Sequence, residues 1–291
     1  CKTLVETFPA RTERGAAAAA LSRLPYLSEM AAGSLSSAST IVLAGATNPV
    51  AFFALPGRPT RLAPDAATIV PYASPRDDIA AALEALAEAV GARVQPQRAT
   101  RETPPAPDAE DAIDPMALAR AIAATLPEDA IVSDESNTLG LFCFDACANA
   151  AAHDWLTLTG GSIGQGLPVA TGAAVACPER RVVALQADGS ALYTIQALWT
   201  QARENLNVTN VILNNGAYAI LKLEMMRAGI NAQTHAASEL FDLQRPAIDF
   251  TQLAAGFGVH AERVVTQRAL TAALNRSFAR PGPSLIEVMF P

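Results

Sequence analysis

Two polar groups interrupt the apolar middle of the chain. Asp188, Gly189 and Ser190 end one apolar run, residues 181–186 plus Ala187, and Asn214 and Asn215 end the next. A carboxylate, an amide oxygen and a nearby backbone carbonyl are hard oxygen donors. They suit magnesium, which completes an octahedral shell with water and substrate phosphates. A helix beginning at Ser190 would aim free N–H groups and its positive dipole end at the same place, which favours a diphosphate. Asp188-Gly189 alone is an ordinary turn, and Asn214-Asn215 alone an ordinary strand end. Placed on one crossover, they point to a cation that grips a phosphate group.

The elements that position these residues follow from periodicity. Residues 181–186 are β-branched and apolar, too few for a helix and typical of a buried parallel strand. Leu192, Ile195, Leu198, Trp199, Ala202 and Leu206 then recur at three and four, which predicts one apolar helix face. Residues 209–213 read as the second strand. A strand, a helix and a parallel strand bring both strand tips to one sheet edge, so Asp188 and Asn215 are expected to face one crevice.

The block resembles the thiamine diphosphate signature, Gly-Asp-Gly followed after a fixed gap by Asn-Asn. The resemblance covers nearly the whole chain and is to the benzoylformate decarboxylase and acetolactate synthase superfamily. It is strongest over residues 187–199, Ala-Asp-Gly-Ser-Ala-Leu-Tyr-Thr-Ile-Gln-Ala-Leu-Trp. It implies that the Asp188 and Asn215 side chains and the Ala217 carbonyl bind Mg2+, and that Gly189 and Ser190 receive the diphosphate. Asp134-Glu135-Ser136-Asn137-Thr138 and Gly160-Gly161-Ser162-Ile163-Gly164 stand at matching distances from Asp188. By resemblance Asn137 and Thr138 touch the diphosphate. The Gly161 carbonyl accepts from the cofactor's amino group, Ser162 lies beside it, and Ile163 supports the bent cofactor together with Tyr218. Ala219 and Ile220 complete the cofactor contacts, and Ile220, Leu221 and Glu224 face the substrate.

Three positions depart from the family pattern. Ala187 replaces the first Gly of the signature. A positive φ there would cost about 1 kcal/mol, whereas β geometry tolerates the methyl. Ala219 replaces a more usual Gly. Glu224 stands where the benzoylformate decarboxylase pattern has an aromatic residue near its substrate's ring. An acid there argues against an aromatic 2-oxo acid, unless Glu224 is a solvated helix residue.

The rest of the chain bounds the reading. It has 291 residues, 51% of them hydrophobic, enough for one large domain and part of another. The formal charge of −7 gives no reason to expect a nucleic-acid partner. No apolar run reaches membrane-spanning length, so no membrane partner is expected. Cys1, Cys143, Cys147 and Cys177 form no disulfide framework, which fits a reducing cytoplasmic compartment. His153, His235 and His260 lie away from the motifs and receive no role.

The expected architecture is α/β. A partial Rossmann-like middle domain spans residues 1–92, with strands at 40–44 and 67–71 and a helix at 78–90. Gly45-Ala46-Thr47 lacks the full dinucleotide fingerprint, so no nicotinamide is expected. Residues 93–112 are polar, proline-rich and aperiodic, and read as a linker. Residues 113–291 read as a doubly wound parallel sheet, the diphosphate-binding domain.

By resemblance, a full enzyme has a further pyrimidine-binding domain. It supplies an activating Glu, usually across a dimer interface, and no residue here is assigned that role. The chain begins at Cys1 rather than Met and reads as a C-terminal portion of such an enzyme. The expected activity is a thiamine diphosphate- and Mg2+-dependent lyase or ligase of 2-oxo acids. Acetolactate synthase-like carboligation of pyruvate comes first, a transferase step of branched-chain amino acid biosynthesis. The alternatives are a benzoylformate decarboxylase-like lyase and a cofactor-binding fragment inactive alone. A homodimer or homotetramer is implied for the whole protein, and whether FAD binds is left undecided.

Overall fold

The computed structural model describes residues 2–19, 21–92, 98–231 and 235–291, the first three of the last segment by backbone alone. Cys1, residues 93–97 of the proline-rich stretch and the His235 side chain lie outside the described residues. The chain divides into two compact units, Cys1–Thr7 with Leu21–Gln97, and Phe8–Ala20 with Arg98–Pro291.

The larger unit is built on a seven-stranded sheet. Its strands are β1 (Thr12–Arg14), β2 (Ala130–Glu135), β3 (His153–Leu156), β4 (Val182–Ala187), β5 (Val208–Asn214), β6 (His260–Val264) and β7 (Ser284–Met289), in the order β6-β7-β5-β4-β2-β3-β1. Every pairing is parallel except β1 with β3. β1, which the sequence groups with residues 1–92, is thus the antiparallel edge of this sheet.

Alternation along the strands feeds two cores, as a sheet covered on both faces requires. Val183 and Leu185 of β4 pack with Ile122, Phe144, Trp155 and Leu270 on one face. Val182 and Ala184 pack with Leu167, Leu198 and Phe250 on the other. The helices Pro115–Thr125 and Gln267–Ala279 cover the first face, and Gly166–Ala176, Ala197–Arg203 and Phe250–Gly256 the second. The Asp114 and Thr266 side chains cap their helices by accepting from the N–H groups of Ala117 and Ala269. Among the described residues no helix is long and apolar enough to cross a membrane.

The helix that periodicity predicts from Ser190 onward is not continuous. It consists of a single turn, Asp188–Ala191, then tight turns, then Ala197–Arg203. Bonds from the Tyr193, Thr194 and Ala197 N–H groups reach back only three residues, to Ser190, Ala191 and Thr194. The Thr194 hydroxyl also donates to the Gly164 carbonyl at 2.9 Å, which draws this stretch out of a regular helix. Of the expected apolar face, Leu198 is buried and Ile195, Ala202 and Leu206 pack against the core, whereas Leu192 and Trp199 are exposed, so the break turns part of that face outward.

The smaller unit carries two parallel two-stranded sheets, Leu4–Val5 with Ser22–Arg23, and Thr40–Ala44 with Thr68–Ala73. Its helix Ile79–Ala89 is capped by the Asp78 side chain. Ala31, Leu35 and Leu62 form a small core.

Candidate functional site

The switch in strand order lies at β2. The next strand, β3, sits on one side of it and β4 on the other. In such sheets ligands bind at the carboxyl ends of the strands flanking that point. Asn137 follows β2 there, and Ser190 follows β4. The Asn137 side-chain amide donates to the Ser190 hydroxyl at 3.1 Å, so the crevice is closed by one polar link. Asn137 takes φ 50°, a left-handed conformation that asparagine tolerates better than most residues. Thr138 is half-buried beside it.

On the other side of β4, the tips of β4 and β5 meet through Asp188. One carboxylate oxygen accepts from the N–H groups of Asn215 at 3.1 Å and Gly216 at 2.8 Å. The other accepts from Gly189 N–H at 2.8 Å. The Asn215 side-chain oxygen accepts from the Ala217 N–H at 3.1 Å, which holds the turn in shape. Asp188 is 3% exposed, and burial pushes its carboxyl pKa up against the pull of these N–H groups. Among the described residues no cationic side chain pairs with it. A buried carboxylate of this kind suits a hard divalent cation. The Ala217 carbonyl, the other expected ligand of this turn, accepts from the Ala219 N–H at 2.9 Å.

Ala187 has φ −72° and ψ 149°, so its methyl meets no backbone strain. Gly189 must be glycine for a different reason. A Cβ there would lie 2.3 Å from the Tyr218 ring, which covers the start of the turn after β4. Tyr218 precedes the helix Ala219–Arg227, whose first residues, Ala219 and Ile220, are half-buried. Because the element after Asp188 is a single turn, its dipole is shorter than the one the sequence attributes to a helix starting at Ser190.

The glycine-rich segment stands beside this crevice. Gly161 and Ser162 are exposed and Ile163 is half-buried. Gly161 takes φ 69°, and its N–H is bonded to the Leu158 carbonyl at 3.1 Å. The segment reaches the turn after β4 through Gly164, whose Cβ position would lie 3.0 Å from Tyr193 Cβ.

Two acidic residues that sequence reasoning did not single out support these groups. Glu135, the last residue of β2, accepts from the N–H groups of Gly164 at 2.6 Å and Gly166. Glu287, on β7, accepts from the Asn214 side-chain amide at 2.7 Å and from Arg263 at 2.9 Å. For Glu287 the signal in the sequence is an acid among apolar strand residues, which points to a buried partner without naming it, whereas Glu135 ends its strand after Ser133 and Asp134 and carries no such signal. Glu224 is not a solvated helix residue. It forms a two-oxygen ion pair with Arg227 at 2.7 and 2.8 Å, with side-chain exposures of 17% and 11%.

His153 is buried, its Nδ1 lies 2.7 Å from the Ala151 carbonyl, and burial pushes its pKa down. These features describe a core histidine.

The sequence and the fold of the chain are similar to those of known proteins. Residues 143–288, half of the chain, match the thiamine pyrophosphate enzyme C-terminal TPP-binding domain, and the chain belongs to this thiamine pyrophosphate enzyme family. A Mycobacterium tuberculosis protein with the provisional name acetolactate synthase large subunit IlvX is 48% identical over 289 residues, 99% of this chain and 56% of that protein. Benzoylformate decarboxylase of Pseudomonas aeruginosa is 34% identical over 212 residues, 72% of this chain and 39% of that enzyme. The solved structure of the thiamine diphosphate-dependent 4-hydroxybenzoylformate decarboxylase of Rhodococcus jostii RHA1 matches with TM-score 0.74 and 29% identity. That match covers 92% of this chain and 51% of the other. The chain thus spans about half the length of the relatives it matches.

Proposed function

We propose that this chain holds thiamine diphosphate through a magnesium ion, as part of an enzyme that makes or breaks a carbon–carbon bond of 2-oxo acids. The observation that carries the reading is the buried Asp188 carboxylate, bonded to the backbone of Asn215 and Gly216 and lacking a cationic side chain among the described residues. Asp188, the Asn215 amide oxygen and the Ala217 carbonyl would bind the ion. Asn137, Thr138, Gly189 and Ser190 would receive the diphosphate. Gly161, Ser162, Ile163, Tyr218, Ala219 and Ile220 would shape the space for the rings.

Thiamine diphosphate, when bound, supplies a nucleophilic ring carbon for the keto carbon of a 2-oxo acid and takes up the electrons left as carbon dioxide departs. The chain's own residues orient and shield. Tyr218, packed on Gly189, keeps water off the turn after β4. The Asp188 charge sets the place of the cation, and the half-buried Ile220 presents an aliphatic wall.

The first reading of the reaction is acetolactate synthase-like carboligation of pyruvate. It is supported by the aliphatic Ile220-Leu221 pair, by an acid in place of an aromatic residue at position 224, and by the likeness to the M. tuberculosis protein. The second is simple decarboxylation of a 2-oxo acid, supported by residues 187–199 and by the likeness to the two decarboxylases. The test supplies the protein with thiamine diphosphate, Mg2+ and either pyruvate or benzoylformate. Acetolactate from pyruvate supports the first reading, and free aldehyde without coupled product selects the second. Failure to bind thiamine diphosphate with Mg2+ overturns both.

A further inference from the structure

We propose that Glu135 is a positioning residue for the cofactor: through the backbone of Gly164 and Gly166, its buried carboxylate sets where Gly161 and Ile163 stand. The proposal rests on the reading in which Gly161 and Ile163 meet the ring end of thiamine diphosphate.

Glu135 is 1% exposed, and no cationic side chain pairs with it among the described residues. Burying such a carboxylate is unfavourable, and an apolar residue of similar size would fill the space at lower cost. What the carboxylate does is accept. It takes the N–H of Gly164 at 2.6 Å and that of Gly166. Burial pushes its pKa up, while these N–H groups pull the other way.

The bonds converge on a short segment. The Gly164 carbonyl accepts from the Thr194 hydroxyl at 2.9 Å, so this residue is held at its N–H and at its C=O. Gly164 has φ 99°, which L side chains rarely adopt. The Gly166 carbonyl accepts from the Ser133 hydroxyl of β2 at 2.9 Å. A Cβ on Gly166 would lie 2.4 Å from Gln186 Oε1 and 2.8 Å from Glu135 Cβ, so only a glycine brings the chain this close. Gln186 pairs with Glu135 in the β2–β4 register and is fully buried. Neither end of its amide has a hydrogen bond of regular geometry.

Upstream of these anchors the segment is held by its own bonds and at its base, where the Thr157 hydroxyl, just after β3, donates to the Pro9 carbonyl. Gln165 donates to the Thr157 carbonyl and accepts from Thr159, each at 2.8 Å, and the Gly161 N–H reaches Leu158. Gly161 and Ser162 are exposed. At the end that leads to Gly166, their placement relative to the sheet is set by Glu135, Ser133 and Thr194; at the other end it is set by β3 through Thr157.

The experiment compares the wild-type protein with Glu135→Gln, and with Thr194→Val as a second, milder break in the same anchor. Amide hydrogen exchange is followed over residues 158–166 without cofactor. Calorimetry with Mg2+ then measures affinity for thiamine diphosphate and, separately, for inorganic pyrophosphate. Loss of one of these anchoring hydrogen bonds predicts exchange and thiamine diphosphate Kd each rising on the order of tenfold. The pyrophosphate Kd should stay unchanged, because the segment meets only the ring end. Unchanged exchange, unchanged thiamine diphosphate affinity, or equal weakening of both ligands overturns the role of Glu135. A wild-type protein that binds neither ligand overturns the reading of the site, and the positioning role with it.

Discussion

The side-chain amide of Asn214 donates to the Glu287 carboxylate at 2.7 Å, although the two residues lie on different strands and far apart in the chain. The β5–β7 register brings them together, with Met289 opposite Asn214 and Val288 opposite Leu213. The Asn214 oxygen in turn accepts from the Gly216 N–H at 3.0 Å, inside the turn that carries Asn215 and Ala217. Glu287 is 0% exposed, while the side chain of its cation Arg263 is 42% exposed. This asymmetry decides what each substitution does. Glu287→Gln keeps an acceptor for Asn214 and leaves Arg263 its other partner, Asp249 at 3.2 Å, at about 1 kcal/mol. Arg263→Ala strands a buried charge and should cost about 2 kcal/mol, less than for a fully buried pair because Arg263 partly faces water. Urea denaturation should rank Arg263→Ala as the more damaging change. The reverse order would mean that Glu287 does not depend on Arg263 for its charge.

Asp188→Asn is expected to weaken Mg2+-dependent binding of thiamine diphosphate on the order of a hundredfold, the upper end seen even for outer-shell changes. Calorimetry measures this directly, and equal affinity would remove Asp188 from the metal shell. The same substitution changes stability with pH. Burial raises the Asp188 carboxyl pKa, so the folded protein keeps a proton that the unfolded chain has already lost. Stability of the cofactor-free protein therefore falls as pH rises from the ordinary carboxylate range through the raised value, then levels off. Glu135 contributes in the same direction. Asp188→Asn should flatten part of that slope, read from thermal melts across mildly acidic pH.

Gly189→Ala should expel the Tyr218 ring, because the added methyl would lie 2.3 Å from it. Overpacking of this kind costs about 1–3 kcal/mol. Tyr218→Ala in the same background should recover much of that loss in denaturant midpoint while leaving cofactor binding weak. Independent, additive effects of the two substitutions would show that the ring and the glycine do not share the space.

These contacts mark how far the sequence carries. β4 and β5 were legible because their apolar residues alternate into two cores, and such runs signal strands whatever surrounds them. The nearness of Asp188 to Asn215 followed from one crossover joining those strands. The Asn214–Glu287 and Glu135–Gly166 bonds were not legible, since each depends on register or on a loop folding back over the sheet. The break after Ala191 was hidden because the apolar residues keep helical spacing in the sequence across it, although Leu192 and Trp199 end up exposed. The antiparallel edge strand Thr12–Arg14 is short, and its three residues have no periodicity to read.

Ala187 offers the most discriminating substitution around the signature. With φ −72° and ψ 149° it occupies extended backbone that any residue adopts, so the glycine usual there supplies no needed freedom. Ala187→Gly should leave thiamine diphosphate affinity unchanged. It should lower stability by about 0.4–1 kcal/mol, because the unfolded chain gains conformations that folding must then remove. Denaturation and calorimetry on the same preparation check both halves. A tighter cofactor complex in Ala187→Gly would show that binding draws this residue out of extended geometry, and that the alanine restrains the site rather than merely fitting it.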